Sequence, residues 1–163
     1  MTIEAYSDEL RRQANRLLAS YPELHHEWEG DELVFPSAHS DGYDVTLQPD
    51  AHGIILFTSL GAHEHLEGPP LEAVQEALGL ARDLLSPDMR VRELTAAGRG
   101  YRWVLERRDP DGWKTESQTG LLLWNYFGPR GERIYHNRQL PGRLAEGANR
   151  SGERGNSESD SAG

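Results

Sequence analysis

The chain has 163 residues, a formal charge of -10 and no cysteine, which excludes disulfide scaffolds, thiolate nucleophiles, iron–sulfur clusters and cysteine-built zinc sites. At about 150 residues per domain the length suggests one domain with a remainder, and no apolar run approaches the roughly 18 residues that a membrane-spanning helix needs. The opening MTIEAYSDEL has no basic stretch leading into an apolar one, so no secretory leader and a cytoplasmic residence are expected.

The charge is unevenly distributed. Residues 1–68 hold 13 acidic and three basic side chains, whereas 69–141 hold 10 and 11. The acidic first part repels phosphate backbones and favours encounter with a cationic partner. The later part contains a locally basic stretch, with Arg90, Arg92, Arg99, Arg102, Arg107 and Arg108 against Glu93 and Glu106. Residues 143–163 are glycine, serine, asparagine and charge with few apolar groups, too few to offset the backbone entropy of ordering. One domain over 1–142 and a disordered polar tail over 143–163 are therefore expected.

In chain order, Ile3, Tyr6, Leu10, Ala14, Leu17 and Leu18 recur at spacings of three and four and predict an amphipathic helix over 2–20, stopped by Pro22. The pattern then shifts to period two: 26–28, 33–35 and the alternating Tyr43, Val45 and Leu47 read as strands, and 54–57 as a fully buried strand. Asp41-Gly42 and 50–53 are the turns between them. After Pro69-Pro70 the stripe Leu71, Val74, Ala77, Leu78, Ala81, Leu84 and Leu85 predicts a second helix, which Ser86-Pro87 ends. Strands follow over 89–94, 101–107, 113–117, 121–127 and 133–139, separated by turns at 96–100, 109–112 and 128–131. The order helix, strands, helix, strands with hairpin-length links predicts an α+β domain with a mainly antiparallel sheet and two helices on one face.

The sequence offers little standard chemistry. Its Gly98-Arg99-Gly100 opens onto a strand rather than a helix, and the single lysine, Lys114, leaves no phosphate-binding loop. A nucleophile elbow is also missing, and Ser59 and Ser117 read as ordinary sheet or turn hydroxyls. Three candidate surfaces remain. The acidic run Glu27, Glu29, Asp31 and Glu32, continued by Asp41 and Asp44, suits a basic protein partner. Six of the seven histidines lie between 25 and 65. Of these, His63 and His65 project from one face of a strand, and with His25 and His26 they could hold a divalent metal. Finally, aromatic residues interleave with arginines after position 99, with Arg102, Arg107, Trp113 and Tyr135 as candidates for stacking bases and holding phosphates.

The expectation that follows is a non-enzymatic acidic binding protein, of the immunity or chaperone-like accessory kind, that engages a cationic protein and needs no cofactor. The alternatives are a metal-binding protein or metal-dependent enzyme built on the histidines, and a single-stranded nucleic-acid binder.

Overall fold

The computed structural model describes residues 2–120 and 128–143. Helix α1 spans Ile3–Ser20, strands β1 to β5 span Glu27–Glu29, Glu32–Phe35, Val45–Pro49, Gly53–Thr58 and His63–Glu67, helix α2 spans Pro70–Leu84, and strands β6 to β9 span Met89–Ala96, Arg99–Asp109, Gly112–Gly120 and Arg130–His136. The α+β class and the element order agree with the sequence expectation. The strands divide between two antiparallel sheets, ordered β1-β2-β3-β4-β5 and β8-β7-β6-β9. The strand expected over 121–127, with Trp124, Tyr126 and Phe127, lies outside the described residues, as does the expected tail beyond Arg143. No helix of the described residues is long and apolar enough to cross a membrane.

Each sheet follows from local pairing. Short links make successive strands neighbours, so the first sheet is a simple meander. Helix α2 then carries the chain away from β5, and β6 starts a second sheet. Gly53 shows how closely β4 approaches β5, since a Cβ there would stand 2.0 Å from the Leu66 carbonyl oxygen.

The core lies between the helices and one face of the first sheet. Leu33, Phe35, Val45, Leu47, Ile54, Leu56 and Leu66 point into it, meeting Tyr6, Leu10 and Ala14 of α1 and Val74, Ala77, Ala81 and Leu84 of α2. Ala73, Ala77 and Ala81 recur every four residues and are fully buried, so the α2 backbone can approach its neighbours closely. Burial of each large side chain contributes about 1.5 to 3 kcal/mol.

The second sheet is fastened to this layer by its Met89, Val91 and Leu105 face and by polar ties after β9. Asn137, fully buried, donates to the Tyr43 carbonyl at 3.0 Å and accepts from the Tyr43 N–H at 3.3 Å, so one amide replaces a strand partner. The Tyr43 hydroxyl donates to the Leu84 carbonyl at 3.1 Å, and burial pushes its phenol pKa up. The N–H groups of Gln139 and Leu140 both reach the Leu85 carbonyl, at 2.9 and 3.0 Å.

Candidate functional site

Because side chains alternate across a strand, the residues between the core positions of the first sheet form its other face, and both helices pack on the core side. The strand registers align them in two cross-strand ladders: Glu27, Val34, Thr46, Phe57, His63, and Glu29, Glu32, Gln48, Ile55, His65. The first runs from Glu27 at the β1 edge through Val34, Thr46 and Phe57, the second from Glu29 and Glu32 through Gln48 and Ile55, and each ends in an imidazole at the β5 edge. Val34, Ile55 and Phe57 are half-buried and Thr46 is buried between them, while Glu27, Glu29, His63 and His65 are exposed. A partly apolar surface with a charged rim is the general form of a protein contact surface.

The expected acidic patch is divided by the fold. Glu27, Glu29 and Glu32 share the helix-free face; Glu32 accepts a hydrogen bond from Gln48, and Glu27 pairs with His25 at 3.3 Å. Asp31 sits in the β1–β2 turn, paired with Arg11 at 3.0 Å. Asp41 and Asp44 lie at the other end of β2 and β3. Asp41 pairs with Arg138 at 3.5 Å, and the Asp44 carboxylate accepts the Ser37 N–H at 2.8 Å. Those two hold the loop before β3 and its junction with β9.

The histidines do not converge as a group. His25 and His26 precede β1 at one edge of the meander, while His63 and His65 lie on β5 at the opposite edge, four strand spacings or about 19 Å away. His26 faces the Leu24 carbonyl at 3.1 Å. Among the described residues no group of three or more histidine or carboxylate side chains is arranged to hold a metal ion. His63 and His65 are nevertheless close, with ring centroids 5.6 Å apart.

The residues expected to form an aromatic and basic surface fall on both faces of the second sheet. Arg102 pairs across with Leu94 and points outward with Trp113, over whose ring Arg90 lies at 4.3 Å. Tyr135 and Arg107 are on the core-facing side. The Tyr135 hydroxyl donates to Glu93 at 3.1 Å, and Arg107 binds Asp83 at 2.5 Å and Glu116 at 2.8 Å. A strand position five residues on reverses its face, which separates Arg102 from Arg107. No single platform combines the four.

Sequence reasoning missed a cleft of about 350 Å³ between α2, β5 and the β7–β8 hairpin. Leu66, Leu80 and Leu105 line it together with Glu64, Glu76, Asp83, Glu116 and Arg143. Asp83, 2 % exposed, is one of its walls; it accepts from Arg107 and from Arg143 at 2.8 and 2.9 Å and has Arg82 at 3.6 Å. Loss of hydration opposes the charge on Arg107, but its bonds to Asp83 and Glu116 win and raise its pKa. The one available signal was an acidic residue in the last turn of α2, where the helix dipole disfavours it without a cationic partner. Ser117 also lines the cleft, yet its Oγ is buried without a hydrogen-bond partner, so no base stands ready to activate it.

No known protein family, no curated protein and no solved structure matches the chain.

Proposed function

We propose that this chain is a non-enzymatic binding protein, an accessory factor of the immunity or chaperone-like kind, whose helix-free sheet face engages a protein with a basic contact surface. The supporting observation is the pair of ladders on that face, in which Glu27, Glu29 and Glu32 flank Val34, Ile55 and Phe57. The two features divide the work. The acidic excess of residues 1–68 attracts a cationic partner over a Debye length of about 10 Å at 0.1 M salt, while the apolar centre supplies short-range affinity on desolvation. A cysteine-free chain is compatible with a cytoplasmic setting, which is part of the same proposal.

The test is affinity capture with the wild-type chain, with Phe57→Asp and with the triple variant Glu27→Gln, Glu29→Gln, Glu32→Gln, each at low and high salt. A basic protein that the wild type retains at low salt and both variants lose is the expected result. Retention that is insensitive to salt, or unaffected by either variant, overturns the reading. Thermal unfolding of the variants separates lost binding from lost fold.

A further inference from the structure

We propose that His63 and His65 form a two-imidazole chelate for a borderline divalent transition ion such as zinc. The inference concerns a ligand distinct from the protein partner and stands without it.

The argument begins with spacing. With Zn–N bonds of about 2.0 to 2.1 Å at a tetrahedral angle, two imidazoles bound to one ion have ring centroids about 5.2 Å apart. The observed separation is 5.6 Å with the ring planes at 79°, so the spacing already matches a shared ion, and turning the rings about their side-chain torsions is what brings one nitrogen of each to it. Backbone geometry produces this arrangement, because positions 63 and 65 share one face of β5 and stand beside each other. Neither ring is buried, and an ion can reach them from solvent.

Two further contacts prepare His63. Its Nδ1 lies 3.5 Å from the Gly61 carbonyl oxygen. With the Nδ1–H turned to that oxygen, Nε2 keeps its lone pair, which is the usual outer-shell arrangement of a metal-ligating histidine. The backbone is also pinned, since the His63 N–H donates to Thr119 Oγ1 at 3.4 Å and the Thr119 hydroxyl donates to the His63 carbonyl at 3.3 Å. The strand therefore holds the backbone that carries the first imidazole, leaving only its side-chain torsions to order on binding.

Imidazole nitrogen selects zinc, copper and nickel over magnesium and calcium, which prefer oxygen. Two protein ligands leave the remaining coordination positions to water, so the site is an exchangeable one rather than a structural one with three or four ligands. The pair at His25 and His26 belongs to the opposite edge and contributes nothing.

Calorimetric titration of the full chain with zinc chloride tests the inference. One ion per chain is expected, with at least a tenfold loss of affinity in His63→Ala and in His65→Ala and no loss in the double variant His25→Ala, His26→Ala. As a second readout, substoichiometric copper(II) should broaden the ring resonances of His63 and His65 before those of the other histidines. Absence of heat, binding that survives removal of both His63 and His65, or broadening that begins at His25 and His26 overturns it.

Discussion

Replacing Asp83 by Asn keeps the size of the side chain and one acceptor oxygen but removes the charge on which Arg107 and Arg143 converge. Removing one partner of a fully buried ion pair costs about 3 to 5 kcal/mol. Asp83 meets that description at 2 % exposure, whereas the Arg107 and Arg143 side chains are 32 % and 58 % exposed and recover hydration when the carboxylate is neutralised. The amide hydrogens that the substitution introduces would in addition face cations that cannot accept them. An overall loss of about 3 kcal/mol follows, on the order of 10 °C in the thermal midpoint of a domain this size. Urea unfolding followed by tryptophan fluorescence measures it. The same slope with a lower midpoint is expected, because the native state keeps its compactness. A loss below about 1 kcal/mol, the range of an exposed pair, would refute the claim that Asp83 is a buried junction between α2, β7 and the segment after β9. Arg143→Met alone should cost less than Asp83→Asn, and the double variant less than the sum, because both remove the same contact.

Gly53→Ala should destabilise the fold by about 2 kcal/mol or more, since the new Cβ meets a β5 carbonyl at 2.0 Å and backbone must move; a midpoint within error of wild type would contradict the close approach of β4 and β5. For His136, partial burial and then the positive charges of Arg138 and Arg90 outweigh Asp41 and lower the pKa. The unfolded chain therefore takes up this proton first, and stability falls as the pH drops below about 6.5, levelling off below the folded-state pKa. His136→Gln should remove that part of the pH dependence in unfolding midpoints compared between about pH 5 and 8, and an unchanged difference would exclude it.

The helices were legible because their apolar positions repeat with the helical period and proline marks their boundaries. Alternation likewise made Tyr43, Val45 and Leu47 readable as one face of a strand. The division into two sheets was not, because a strand pattern shows which face is apolar and leaves open which strands pair. For the histidines, sequence proximity suggested a group, yet in a hairpin-linked meander the first and fifth strands are the most distant pair. Asp83, Arg107 and Arg143 were invisible as a cluster, being 24 and 60 positions apart and joined only when the helix end, a strand and the chain after β9 meet.

The edges of the first sheet have a consequence for how these molecules behave at high concentration. An unpaired strand edge invites another chain to add to it. Here β1 is three residues long with a glutamate at each end, too short and too repulsive to template a further strand. At β5, the Thr119 hydroxyl engages both the N–H and the carbonyl of His63, so an added strand would have to displace that contact to pair at the start of β5. The sheet thus presents a broad face to solvent while its β1 end discourages further strand addition and its β5 end is occupied at His63.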